Sequence, residues 1–278
     1  MVRNTIKTRI IGFALATHLG PTLAVSTIAT TLGLQAGLGP MAPVLFVVAF
    51  TGQCSVGWSN DAADAGLDAL AKRVEKPTVQ GAVSPTQLWY AASIAAVISI
   101  GLSWLLTWQS ALLYGVALGS AWIYNLALKA TWASFVPYAV SFGLLPAIVT
   151  VAGSPSHWPP RSVMLGAVLL GVGAHFINTL KDVSHDHTTG VRGLPQMMGP
   201  GLSLWVGVAC TAMSLSLFFL AAHASSWALM VMIAGALGLV AVVTTALLKA
   251  HHWAWRLIIG EALLCVVMMV VSGTALRH

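Results

Sequence analysis

An all-α, polytopic membrane protein, with nine transmembrane helices around a central cavity and a cytoplasmic N-terminus, is the fold class the sequence predicts. Three observations predict it: a composition too apolar for water, nine apolar runs of spanning length, and a lopsided distribution of charge over the connections. Hydrophobic residues make up 58% of the 278 positions, charged residues only 7%, and mean hydropathy is +0.86. A soluble domain carries roughly 25% charged residues. The net charge of +6 is therefore read as the basic surplus of membrane-flanking loops and not as a nucleic-acid signature.

About 20 helical residues cross a hydrocarbon core of ~30 Å. On that ruler the spans fall at 10–34, 41–58, 86–106, 111–127, 133–152, 162–181, 202–222, 226–248 and 254–275. The basic start (Arg3, Lys7, Arg9) followed by an apolar run is similar to a signal peptide. The run continues past Gly20 to Leu34, long enough to span, and is read as a helix. Gly39-Pro40 ends it, Pro85 opens the third span, Pro155 and Pro159-Pro160 separate the fifth from the sixth, and Pro200-Gly201 opens the seventh. The chain reads as a single domain over 1–278, capped by the polar segments 59–85 and 182–200. Cys54, Cys210 and Cys265 all fall in apolar runs with no C-x-x-C spacing, which points to core packing.

Charge tests the span count. With the N-terminus inside, eleven of the thirteen Lys and Arg residues lie on the inner side, leaving Arg161 and Arg277 outside. The acids are also one-sided: Asp61, Asp64, Asp68, Glu75, Asp182 and Asp186 are inside, and the seventh, Glu261, lies in the last span. The positive-inside rule says little about Asp and Glu. Their placement needs another cause.

If the second span continues as a helix past Trp58, Asp61, Asp64 and Asp68 fall within roughly 60° of one another, with Asn60 beside them. Like charges on one stripe repel, so a cation between them explains the pattern better than a solvated face. Asn178, Asp182 and Asp186 occupy about 80° of arc, and His175 falls in the same sector. Two such stripes at matching ends of two helices suit Mg²⁺, which takes oxygen ligands and shares substrate phosphates. Nearby Lys and Arg donors suit the same phosphates.

The run N-D-x-x-D-x-x-x-D from Asn60, then Arg73 and Lys76-Pro77, together with K-D-x-x-x-D-x-x-x-G-x-x-x-L-P from Lys181 to Pro195, resembles the UbiA superfamily of intramembrane prenyltransferases. The segment G-V-R-G-L-P is similar to a subgroup common among actinobacterial members. The resemblance covers the whole chain in span count, motif order and motif side. It implies that Asn60, Asp61, Asp64, Asp68, Asp182 and Asp186 hold Mg²⁺ against the diphosphate of a prenyl donor. It also implies that Arg73, Lys76, Lys129, Lys181 and Arg192 bind that diphosphate, and that Tyr124, Asn125, His175 and Asn178 line the substrate cavity. A further basic residue near the first span is expected, with Arg9 and His18 as candidates. Trp58, Trp89, Trp104, Trp122, Trp132 and Tyr138 are available to wall the cavity, although Trp also gathers at membrane interfaces.

The expected activity is Mg²⁺-dependent ionisation of an allylic prenyl diphosphate, with transfer to an aromatic, quinone-precursor or other lipid acceptor. A terpene cyclase that quenches the cation internally shares the same first step. An ion-coupled transporter is the competing class, but transporters place such acids near the bilayer midplane, and these cluster at one face. The partners implied are the donor, a hydrophobic acceptor and membrane lipid, with no nucleic acid and no obligate protein partner. The expected location is a bacterial cell membrane with the site opening to the cytoplasm. Glu261, an intramembrane acid, is either functional or paired, with Arg256 as one partner.

Overall fold

The structure, a computed structural model, describes residues 5–154, 157–180, 190, 192–223 and 225–272, the last four by backbone alone. Lys181, Asp182 and Asp186 therefore lie outside the described residues. The helices are α1 (Ile6–Ala16), α2 (Leu19–Gln35), α3 (Ala42–Leu70), α4 (Pro85–Ser103), α5 (Trp108–Ile123), α6 (Val136–Gly153), α7 (Arg161–Leu180), the short α8 (Leu194–Met198), α9 (Pro200–Ala221), α10 (Ser226–Leu247) and α11 (His251–Ser272). Among the described residues seven unbroken helices are long and apolar enough to cross a membrane, and the bent pair α1–α2 makes an eighth.

Local chemistry starts several of them. Ser84 and Gln87 form a capping box ahead of α4, with Pro85 at its first position. The hydroxyls of Thr107 and Ser225 cap α5 and α10 by accepting from backbone N–H groups.

The helices form a closed ring. Each of α2 to α7 packs on the next, α7 packs on α9, α9 on α10, α10 on α11, and α11 returns to α2. Val97, Leu237, Val240 and many other large apolar side chains point outward and are exposed. A belt of that kind suits lipid.

Helix α11, at the position of the ninth expected span, is not among those eight, and two further features depart from the expected spans. The first span is broken at Thr17–His18, where α1 and α2 meet at 59°. Pro21 explains the break, because its ring would clash with the Thr17 carbonyl in a continuous helix. That carbonyl accepts instead from the Thr22 hydroxyl at 2.8 Å. The second span does not end at residue 58. Helix α3 runs on to Leu70, so the first acidic stripe is helical and not part of a loop.

Candidate active site

Helix α3 presents one long stripe to the interior, from Leu45 through Gly52 and Val56 to Asn60 and Asp64, and this stripe lines a cavity of about 400 Å³. At the Asp64 end the wall also holds His18, Arg73, Lys76, Asn125 and Lys129. Toward Leu45 it is completed by apolar side chains that include Leu32, Phe218 and Val266. One end is charged and the other is oil-like.

Three separate devices bring basic side chains to the stripe. The first is the α1–α2 break. Gly57 lets it approach closely, since a Cβ there would lie 2.7 Å from the Ala16 carbonyl oxygen. One turn further along α3, His18 Nε2 lies 3.0 Å from Asp61 Oδ1.

The second device is the end of α3. Lys72 adopts a left-handed conformation (φ 52°), with Lys72 N–H bonded to the Ala69 carbonyl and Arg73 N–H to that of Asp68. This is a Schellman turn with lysine where glycine is usual. It reverses the chain, so that Lys76 Nζ donates to Asp61 Oδ1 at 2.6 Å and Arg73 Nη1 to Asp68 Oδ1 at 3.4 Å. Arg73 Nε also donates to Glu75 at 2.9 Å.

The third device is a π-helical turn over Tyr124–Leu128, closed by the Lys129 N–H on the Tyr124 carbonyl. The extra residue in such a turn re-aims the side chains around it. Lys129 Nζ there pairs with Asp64 Oδ2. Asn125 donates to the Val56 carbonyl at 3.0 Å and to Ser59 Oγ at 2.9 Å, and its own oxygen accepts from Asn60 at 3.3 Å.

Every carboxylate of the stripe thus meets a cation from another segment. Asp61, Asp64 and Asp68 are buried, Asp61 completely, which a solvated cytoplasmic helix would not produce. Asp61 Oδ2 and Asp68 Oδ2 are buried with no hydrogen-bond partner among the described residues, an arrangement that is costly unless something binds there. Asp61 and Asp68 are separated by about 10 Å of helix rise, so the stripe cannot wrap a single ion by itself. Among the described residues no three His, Cys, Asp or Glu side chains converge on one point.

The remaining candidates divide. Tyr124, Asn125 and Asn178 line the cavity, and Asn178 Oδ1 is buried without a hydrogen-bond partner among the described residues. His175 does not line it. It packs behind the wall with its ring 4.7 Å from that of Tyr138, and its Nε2 lies 3.1 Å from Ser134 Oγ. Arg192 is exposed and is not part of the cavity wall.

Of the aromatics expected there, Tyr138 is at the wall, while Trp104 and Trp132 face outward and Trp58 and Trp122 bond Thr17 and Ser55. The wall uses Tyr114, Phe142, Phe218 and Trp255 instead. Glu261 is buried against Gly235 and Gly238 of α10. Arg256 does not reach it but lies 4.8 Å above the Trp253 ring. A second, apolar groove of about 210 Å³ between α2 and α11 shares Ile28 and Val266 with the cavity wall.

Comparison with known proteins adds three findings. Residues 10–258 match the profile of the UbiA prenyltransferase family. The bacteriochlorophyll synthase 33 kDa chain of Cereibacter sphaeroides is 31% identical over 171 residues, which are 57% of this chain and 54% of that relative. The chain therefore spans about half the length of this curated relative. Among solved structures, the apo UbiA homolog of Aeropyrum pernix K1 superposes with a TM-score of 0.73 at 20% identity, covering 90% of this chain and 97% of that one. The Archaeoglobus fulgidus UbiA homolog bound to DMAPP and Mg²⁺ gives 0.69 at 12% identity, covering 92% and 99%. At these identities the structural likeness establishes the fold.

Proposed function

We propose that this chain, which belongs to the UbiA prenyltransferase family, is an integral-membrane, Mg²⁺-dependent enzyme that ionises an allylic prenyl diphosphate and transfers the prenyl group to a hydrophobic acceptor. One observation carries the reading: a single cavity joins a charged mouth, with Asp64, Arg73, Lys76 and Lys129 in its wall, to an apolar body. The mouth matches a diphosphate, and the body matches the hydrocarbon attached to it.

Asn60, Asp61, Asp64 and Asp68 would hold the metal, together with Asp182 and Asp186, which follow α7 in the sequence. The orphaned oxygens of Asp61 and Asp68 fit that role, and the donor set is all oxygen, as Mg²⁺ requires. The metal, when bound, neutralises the charge that gathers on the departing diphosphate.

The chain's own residues supply the rest. Arg73, Lys76 and Lys129 now rest on carboxylates. Their flexible stems let them turn to the diphosphate and stabilise it as the allylic C–O bond breaks. Lys181, just after α7 in the sequence, would add to this, whereas the exposed Arg192 lies off the cavity wall. The apolar wall keeps water from the carbocation until the acceptor traps it. Tyr124, Asn125 and Asn178 face the cavity beside the mouth, where an acceptor must lie, and His175 buttresses Tyr124 and Tyr138 from behind. The acceptor belongs to the aromatic, quinone-precursor or lipid class, and the α2–α11 groove suits a molecule that arrives from the bilayer.

With α11 counted as a ninth span, our reading sets the N-terminus and the charged mouth on the cytoplasmic side of a bacterial membrane. The charge asymmetry of the loops supports this. The whole chain then acts as one domain. Asp64→Ala and Asp182→Ala should each abolish Mg²⁺-dependent diphosphate release from a prenyl diphosphate by the purified protein. Undiminished release by both variants would sink the proposal.

A further inference from the structure

The apolar body of the cavity holds one contact on which its depth turns. Tyr114 of α5 sets the hydroxyl end of its ring against α3 at Gly52, and both residues belong to the wall. The tyrosine hydroxyl donates to the Val48 carbonyl at 3.0 Å. Ser99 of α4 donates to the same carbonyl at 2.7 Å and also meets the tyrosine hydroxyl. Ser99 is buried. Two anchors therefore hold the phenol out of the lumen.

Gly52 makes this possible, because a Cβ there would overlap the Tyr114 hydroxyl oxygen and come within 3.0 Å of Ser99 Oγ. No side chain other than glycine's leaves room for the tucked tyrosine.

Its depth matters. Counted along α3, Gly52 lies about 13 Å below Asp61, and Leu45 about 24 Å below it. An extended isoprene unit adds four main-chain bonds of ~1.5 Å, roughly 5 Å of length. A chain of one or two units ends above Gly52. One of four units passes Tyr114 and still ends within the cavity.

Resting on the prenyltransferase reading, we propose that the Gly52–Tyr114 pair sets donor selectivity: it holds the lower cavity open for prenyl diphosphates of about four isoprene units. A Cβ at position 52 would expel the phenol into the lumen and shorten the cavity. Removing the phenol as well would reopen it.

The test is titration calorimetry on the purified full chain with Mg²⁺ and dimethylallyl, geranyl or geranylgeranyl diphosphate. The native protein should bind the geranylgeranyl donor at least tenfold more tightly than the geranyl donor. Gly52→Ala should cut that ratio at least tenfold, and Gly52→Ala/Tyr114→Ala should restore it. A purely structural defect would not be rescued by a second truncation. Where Gly52→Ala does not fold, Tyr114→Phe replaces it: losing both anchors, it should lower the ratio at least threefold. A native ratio near one, or a ratio that Gly52→Ala and Tyr114→Phe leave unchanged while all donors bind, overturns this inference and leaves the prenyltransferase reading intact. No binding of any donor, or binding that Asp64→Ala does not weaken, overturns both.

Discussion

Lys129 reaches Asp64 from a position 65 residues away in the sequence, and both residues belong to the charged end of the cavity wall. In the proposed mechanism this lysine leaves the carboxylate for the diphosphate. Lys129→Gln should then lower kcat/KM for the donor by about 10²–10³, the usual loss when one charge-stabilising donor is removed. Lys72→Gln, on the exposed rim, should change it less than about twofold. Lys76 has a stability role as well, because it is buried against the fully buried Asp61. Lys76→Ala leaves that carboxylate with His18 alone and should cost about 3 kcal/mol, read as earlier thermal unfolding in detergent. Asp61→Asn added to it should recover part of the loss.

At the scale of elements, three irregularities build the site: the α1–α2 break, the left-handed end of α3 and the π-helical turn. Gly57→Val tests the first. Its side chain would meet the Ala16 and Thr17 carbonyls, push the break off α3 and separate His18 from Asp61. The expected cost is about 1–3 kcal/mol, with a weaker donor affinity that Gly57→Ala reproduces in part.

These irregularities also mark where the sequence stops being readable. The spans and the acid stripe are periodic, and periodicity survives in one dimension; Asp61, Asp64 and Asp68 share a face because 3.6 residues make a turn. Pro21 was visible too, yet nothing local says that breaking the helix there aims His18 at Asp61. Gly52 and Gly57 look alike as letters, and only the packed helices reveal which backbone or hydroxyl each accommodates. His175 was placed in the cavity sector by its angle. Tyr124 and Tyr138, which pack against its ring, are at the wall in its place.

The whole molecule is a ring of helices whose outer belt is apolar and whose lumen changes from charged to apolar along one axis. In the proposed mechanism that polarity gives the reaction its direction, with the diphosphate at one membrane face and the prenyl chain within the bilayer. The proposed orientation predicts that Lys72→Cys reacts with a membrane-impermeant maleimide only from the cytoplasmic side, and Trp158→Cys only from the opposite side. Labelling of both from one side would contradict the nine-span arrangement. The central claim, that the acids at the mouth bind a metal–diphosphate pair, is tested most directly by the Mg²⁺ dependence of donor affinity in the resting protein. Calorimetric titration with geranylgeranyl diphosphate should show tight binding in Mg²⁺, at least a hundredfold weaker binding in EDTA, and no Mg²⁺ effect in Asp64→Ala. Equal affinity with and without Mg²⁺, or a full Mg²⁺ effect in Asp64→Ala, would contradict the account.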